Sequence, residues 1–308
     1  MNSERIRLLE DRDYQSLPQT LNAAFSSYRD AAVYSLPMLA FFREWMWEHS
    51  PSLALTSDSE LAGALLAGYR KARFEETPLK ILHIGPIGVL KTHRRGGLGS
   101  KMLQQVTQIA RANDVDLMTL TTEAIYGAHR LYRRAGFDII EAYRPRVTLL
   151  RPRASDDALI GEIHPIEPGP LTESVPIRPN SIIETGPTPP PLPVALRPQC
   201  FRLSGGIAST IQWPILSRRG TEETAQKISQ LIQWVPGDRP TELFQLASVA
   251  AAANGSTCLY ALPAVSIADG MLKHQGTSLV YRMGRALSPE GKRALAAAEH
   301  YCEIFPAP

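Results

Sequence analysis

Cysteine is scarce in this chain. Cys200, Cys258 and Cys302 are the three thiols in 308 residues, all in the last third. They form neither a disulfide framework nor a metal-ligand spacing, and no metal site is expected. They read as reduced thiols of a cytoplasmic protein. Charge of one sign is thin as well: 33 basic side chains against 30 acidic ones leave a formal net charge of +3. That is too little to argue for a nucleic-acid partner. No apolar run reaches the ~18 residues of a membrane span. The charged start MNSERIRLLEDRD has no apolar core of the kind a secretion signal needs. The expectation is a soluble cytoplasmic chain with no membrane and no nucleic-acid partner. With 44% apolar and 20% charged residues over 308 positions, it has enough material for two domains.

Proline is plentiful and unevenly placed. Twelve of the 25 prolines fall between Pro152 and Pro198. That stretch reads as a linker, extended or wrapped over a neighbouring surface. It divides the chain into residues 1–150, a linker at 151–198, and residues 199–308. The first part alternates strand and helix patterns. RIRLLE is a strand, Asp11 to Phe25 and residues 38–50 are helical, and LALT and ELAGALLAGYRKAR are strands joined by a turn at Ser57–Ser59. KILHIGPIGVL is a strand whose Gly85, Pro86 and Gly88 suggest a bulge or a place where something approaches the backbone closely. Met102, Leu103, Val106, Ile109 and Ala110 recur at helical spacing. DLMTLTT, FDIIEAY and RVTLLRP close the half as strands around a short helix at Ala128–Arg134. The fold class expected is α/β, a mixed sheet with helices.

In the last part, GGIASTIQWPIL, STCLYALPAV and TSLVYRMGRAL read as strands. TEETAQKISQLIQWV reads as a helix with Thr221 at its N-cap and Glu222 and Glu223 in its first turn. TELFQLASVAAAANG is a helix, and LSPEGKRALAAAEHYCEIF a closing helix capped by Ser288 and Pro289. Trp213 and Trp234 are expected in the core.

Between the KILHIGPIGVL strand and the next helix lies HRRGGLGSKM, residues 93–102. A glycine-rich loop at a helix start turns main-chain N–H groups toward an anion. A charged surface turn is the plainer reading. The P-loop pattern fails, because Gly99-Ser100-Lys101 has no lysine–hydroxyl pair after the glycine. A dinucleotide G-x-G-x-x-G fails too, because Met102 stands where the third glycine belongs.

Arg94-Arg95-Gly96-Gly97-Leu98-Gly99 fits R/Q-x-x-G-x-G/A. About 30 residues later Ala128-His129-Arg130-Leu131-Tyr132-Arg133-Arg134-Ala135-Gly136-Phe137 fits A-x-x-L-Y-x-x-x-G-F. In that order and separation the two motifs resemble those of the GCN5-related N-acetyltransferase (GNAT) superfamily, over residues 1 to about 150. The resemblance implies acetyl-CoA as co-substrate. The amides of Arg95, Gly96, Gly97, Leu98, Gly99 and Ser100 would cradle its pyrophosphate, with Arg94, Arg95 and Lys101 adding charge. The main-chain groups of Ile87 and Val89 would pair with the pantetheine arm.

Tyr132 stands where the family often places a general acid for the departing thiolate, whose pKa is ~8.5; the alternative is a packed aromatic. No base is evident. Glu123, His83, His129 or a relaying water are open choices. Ile125 occupies a position where family members commonly carry asparagine, and its neighbour Tyr126 either fills the acceptor pocket or packs.

Residues 199–308 echo the end of the first half, but SRRGTEET has no G-x-G. They are expected to form a second, smaller α/β lobe, a degenerate GNAT-like one that does not bind CoA. The alternative is an unrelated α/β domain. Arg144, Arg146, Arg151 and Arg153 read as a solvated strand edge, or as a site for an acidic acceptor or the CoA 3′-phosphate.

The activity implied is acetyl transfer from acetyl-CoA to a primary amine on a small molecule or peptide, with a homodimer one assembly such sheets allow. The competing reading is a catalytically inactive CoA-binding regulatory protein.

Overall fold

In the computed structural model, the described residues are 4–28, 34–45, 50–144, 146–150, 180–185, 199–215, 226–261, 271, 274–275 and 279–304. The elements, in chain order, begin with β1 (Arg5–Leu8), α1 (Leu17–Phe25), α2 (Leu36–Trp45), β2 (Leu53–Ser57), β3 (Glu60–Phe74), β4 (Thr77–Val89) and α3 (Leu98–Ala112). There follow β5 (Leu117–Glu123), α4 (His129–Arg134), β6 (Asp138–Tyr143), β7 (Arg146–Leu149), β8 (Ser181–Thr185), β9 (Gln199–Leu203), β10 (Gly206–Ile215) and β11 (Gln226–Val235). The chain closes with α5 (Pro240–Ala253), β12 (Ser256–Ala261), β13 (His274–Gln275), β14 (Val280–Ala286), α6 (Pro289–Ala297) and β15 (His300–Ile304).

Two compact units form, and their boundaries differ from the expected ones. The first unit joins residues 1–142 to 178–187 and 280–303; the second holds 143–177, 188–279 and 304–308. The sheet of the first unit runs β1-β2-β3-β4-β5-β14-β6, with β8 beside β3 and β15 beside β8. The chain's last third thus supplies β14, antiparallel to β5 from Ala286↔Leu117 to Val280↔Glu123. Strand β7, expected to close the first half, instead pairs with β12 in the second unit. The linker stretch contributes β8, whose Ile182–Thr185 pair with Phe74–Lys71 of β3.

Local chemistry explains the first unit's framework. Asp58 and Ser59 both hold positive φ (49° and 71°), which makes the β2–β3 connection a two-residue turn of the kind that suits strand twist. Leu98, Met102, Leu103, Val106, Thr107 and Ala110 form the buried stripe of α3, as the spacing predicts. They meet Leu82, Ile84, Met118, Leu120, Phe137 and Met283 in the main core. Leu17 and Leu21 of α1 pack with Ala64 and Leu66 on the sheet.

The second unit has the order β13-β7-β12-β11-β10-β9. Here the expected helix over TEETAQKISQLIQWV is overturned. Gln226–Val235 is a strand, antiparallel to β10 and parallel to β12. The spacing of Ile228, Leu231 and Ile232 mimics a helix, but a central strand buries both faces and loses alternation. Ser229 bonds to Ser256 at 2.9 Å, and Tyr260 donates to Gln230 at 2.7 Å. Thr221, Glu222 and Glu223 lie outside the described residues. Trp234 is buried in this core with Phe244 and Leu259, whereas the side chain of Trp213 is outside the described set.

The closing helix is shorter than expected. Ser288 caps it by accepting from the N–H of Gly291 at 3.0 Å, with Pro289 at the first position. Ala298 leaves helical geometry (φ −71°, ψ 124°), and His300–Ile304 become β15. The reason is burial: Tyr301 is 2% exposed, and its hydroxyl donates to Glu184. Arg70 donates to the same carboxylate at 2.6 Å, with side chains 5% and 1% exposed. Removing one member of such a buried pair strands the other charge. Glu184→Ala is therefore expected to cost roughly 3–5 kcal/mol, read as a lowered denaturation midpoint with unchanged slope. A loss below 1 kcal/mol would show that the network is dispensable.

Candidate active site

The site begins where β4 and β5 part. They pair in parallel from Ile81↔Leu117 to Ile84↔Leu120 and no further. Past that point β4 keeps β3 as its neighbour up to Gly63↔Val89, with a register shift that inserts Gly85 and Pro86. The expected bulge is therefore present; Pro86 has no N–H to give to a ladder. Strand β5 stays with β14 through Glu123. The edge of β4 beyond Ile84 and the edge of β5 beyond Leu120 are left without each other.

Alternation along β4 tells which main-chain groups face that opening. Leu90 donates its N–H to Ala62 of β3. In an antiparallel ladder neighbouring residues turn their polar groups to opposite sides. Val89 and Ile87 therefore turn theirs away from β3, toward the opening. Gly88 lies under α1, where a Cβ would stand 3.1 Å from both Ala24 and Leu21.

The loop that follows is exposed from Arg94 to Gly97. Arg95 (φ 74°) and Gly97 (φ 73°) both sit in the left-handed region. The first bond of the new helix is Lys101 N–H to Gly97 C=O. Among the described residues, the N–H groups of Arg95, Gly96, Gly97, Leu98, Gly99 and Ser100 have no protein acceptor. These include the orphan donors that every helix start leaves, at the positive end of the α3 dipole. A methyl group at Gly99 would meet Leu131 of α4 at 3.5 Å, an ordinary contact, while Gly97 has open space around it. Glycine at 97 is demanded by backbone conformation rather than by crowding.

Arg94 also has a structural role. Its Nε donates to Val89 C=O at 2.9 Å, and its other end donates to Ala24 C=O. It staples the end of β4 to α1. Arg95 and Lys101 are exposed and have no ion-pair partner among the described residues.

Tyr132 is 8% exposed and meets Phe137 edge-on at 6.3 Å. Burial pushes its pKa above the ordinary tyrosine value, and nearby Tyr28 adds to the shift. Tyr34 is raised too, by burial first and by Tyr132 second. Tyr28 stacks on Tyr126 (4.1 Å, 6°), so Tyr126 packs against the segment that follows α1. Sequence reasoning missed Tyr28 and Tyr34, because nothing in a linear pattern links them to a motif a hundred residues away.

The base candidates are scattered. Glu123 ends β5 opposite Val280. His83 bonds Thr119 at 3.1 Å, within the paired part of β4 and β5. His129 opens α4 edge-on to Tyr281. Ile125 is 70% exposed. Arg144 is exposed; the side chain of Arg146, and Arg151 and Arg153 entirely, lie outside the described residues.

Comparison with known proteins concerns the same part of the chain. The model of the Acetyltransferase (GNAT) family matches residues 19–137. Those residues form a GNAT acetyltransferase domain. The chain also resembles solved structures along most of its length. Against a GCN5-related N-acetyltransferase from Kribbella flavida, the match covers 96% of this chain and 74% of that one, at 16% identity and a TM-score of 0.53. Against Saccharomyces cerevisiae N-myristoyltransferase with bound myristoyl-CoA, it covers 92% and 83%, at 11% identity and a TM-score of 0.63. A GCN5-related N-acetyltransferase from Anabaena variabilis is covered to 73%, at 13% identity and a TM-score of 0.53. At such identities the likeness concerns the fold. No curated protein matches the sequence.

The second unit repeats the strand–loop–helix–strand order of the GNAT domain in β11, α5 and β12, but its loop is VPGDRP. A Cβ at Gly237 would stand 2.3 Å from the nitrogen of Gly206, the Asp238 N–H is taken by Ser204, and Pro240 brings no N–H. This loop stands in the second unit where the cradle stands in the first, and its interior is filled; SRRGTEET lies outside the described residues. Among the described residues, no helix is long and apolar enough to cross a membrane.

One substitution separates a cradle from a surface turn. Gly97→Glu puts an acid among the six amides and a side chain at positive φ. Acetyl-CoA at ~100 times its dissociation constant should stabilise the native chain by about 2.7 kcal/mol and leave the variant's midpoint unmoved. Equal shifts in both would remove the loop from the binding site.

Proposed function

We propose that the chain transfers an acyl group, acetyl in the simplest case, from acyl-CoA to a primary amine of a small molecule or peptide. The observation that carries this reading is the run of six unpartnered amides, Arg95–Ser100, at the start of α3 beside the parted β4 and β5. A pyrophosphate suits such amides in charge and in hydrogen-bond capacity. Ile87 and the N–H of Val89 offer main-chain groups to an amide-bearing arm laid along β4; the carbonyl of Val89 is already held by Arg94.

The chemistry needs little more than order. An amine nitrogen attacks the thioester carbonyl, a C–N bond forms, the C–S bond breaks and the thiolate takes up a proton. Holding both reactants in one opening supplies much of the rate. Tyr132 is the proton donor in this reading. Burial keeps it protonated beyond the ordinary tyrosine pKa of ~10, so the donor form persists at neutral and mildly alkaline pH. Glu123, at the end of β5, or a water held there takes the proton from the incoming ammonium. A cytoplasmic location is part of this reading; among the described residues, Cys200 and Cys258 form no disulfide.

Tyr132→Phe tests the assignment. Thiol release from acetyl-CoA with mixed amines should fall about 10²–10⁴-fold in kcat, with acetyl-CoA binding retained. The sign of the pKa shift fixes the pH profile: the alkaline limb due to this donor lies above ~10. Unchanged turnover in the variant would make Tyr132 a packing residue. Acetyl-CoA binding without turnover by the native chain would favour the CoA-binding regulatory reading.

A further inference from the structure

Rings from distant parts of the first unit gather at the end of α1. Phe25 lies over β4, where a Cβ on Gly88 would stand 3.4 Å from its ring. Tyr28 meets Phe25 edge-on at 5.2 Å, and Tyr34 stands 6.0 Å from Phe25. The Asn22 side chain clamps the backbone of Tyr34, donating to its C=O at 2.8 Å and accepting from its N–H at 2.9 Å. Tyr28 then stacks face to face on Tyr126 (4.1 Å, 6°), three residues past Glu123 at the end of β5. The stack thus bridges the two parted strands, from the helix that lies on β4 to the turn that follows β5.

Two properties set this pair apart from core packing. Both rings are half-buried, and neither sits on a long element. Tyr28 lies past the end of α1, held by its N–H on the Phe25 C=O at 2.8 Å. Tyr126 ends a single turn, Ala124–Tyr126, which Gly127 (φ 68°) terminates. Rings so placed are free to part. The surroundings are also uncharged: neither residues 17–28 nor residues 124–128 include an acid or a base. Ile125, beside the pair, is 70% exposed, more than any other large apolar side chain among the described residues.

An uncharged aromatic wall suits an amine that hangs from a planar ring. A ring entering between Tyr28 and Tyr126 exchanges one stacked contact for two. A saturated ring of like size buries similar area without that geometry, and a polyamine finds no counter-charge there. Tyr28 lies near enough to Tyr132 to add to the upward shift of its pKa, so a ring held at the stack is close to the proposed proton donor.

We propose that Tyr28 and Tyr126 select an acceptor amine that carries an aromatic ring, with the ring held between them and the amine toward Glu123. The proposal rests on the acyl-transfer reading and adds the acceptor class to it.

The test is thiol release from acetyl-CoA by the full chain with phenethylamine and with its saturated counterpart, cyclohexylethylamine, rates being referred to the free amine. The native protein should favour the planar ring about 3–10-fold in kcat/KM, the worth of one stacked pair. Tyr126→Leu and Tyr28→Leu should each bring the ratio to about one, and Tyr126→Phe, which keeps the ring, should retain it. A stack that served folding alone would lower both amines together and leave their ratio in place. Thermal unfolding and acetyl-CoA binding check the fold of each variant. Equal native kcat/KM for the two amines, or turnover of other amines but neither of these, would overturn the proposal and leave the acyl-transfer reading standing. Absence of turnover with any amine would overturn both. A ratio unchanged in both leucine variants would remove the pair from the role.

Discussion

Where β4 leaves β5, past Ile84 and Leu120, the sheet gives up hydrogen bonds that a continuous parallel pair would have made. Everything assigned to the site follows from that loss. It frees an edge at Ile87 and Val89 and exposes the end of β5 at Glu123. The inserted Gly85-Pro86 drives the parting. The arrangement persists because each strand keeps another neighbour, β3 for β4 and β14 for β5, and because Arg94 ties Val89 to Ala24. A strand end held on one edge alone would otherwise be a weak point in a sheet.

The path of the chain adds a second constraint. Strand β6 and strand β7 are separated by two residues, a connection short enough for a hairpin, yet they lie in different sheets. In both sheets the strand beside the crossover strand runs antiparallel to it and comes from the other part of the sequence: β14 beside β5, and β7 beside β12. The matched span 19–137 thus does not complete its own sheet. Residues 280–303 do so, and they bring Arg285, Tyr281 and the buried Tyr301–Glu184–Arg70 network with them. The two units share an order of elements but differ in their loops. One presents six free amides, and the other is packed shut by Gly237 and Gly206.

Much of this was legible in the sequence, and the failures have physical causes. The α3 stripe, the Gly85-Pro86 bulge, the turn at Asp58-Ser59 and the cap at Ser288 are local, and each was readable from spacing or from one residue's conformational habits. The glycines at 96, 97 and 99 before α3 were legible as a place where main-chain N–H groups gather, but the positive φ of Arg95 and Gly97 was not. Strand β11 was misread because a central strand is buried on both faces, here at Ser229 and Gln230 as well as Leu231, and carries no period of two. The domain boundaries were misread because proline content marks where helices are absent, not where a sheet recruits its last strand. Tyr28 and Tyr34 were beyond sequence reasoning. Their roles depend on proximity between residues far apart in the sequence, with no motif to bind them.

The central claim is that the amides of Arg95–Ser100 hold the pyrophosphate of an acyl-CoA. Residue-resolved hydrogen exchange with and without CoA tests it most directly, since those N–H groups have no protein acceptor and should exchange freely without ligand. Strong slowing confined to these six amides and the β4 edge at Ile87 and Val89 is the predicted result. Exchange at 95–100 that stays fast under saturating CoA would contradict the account.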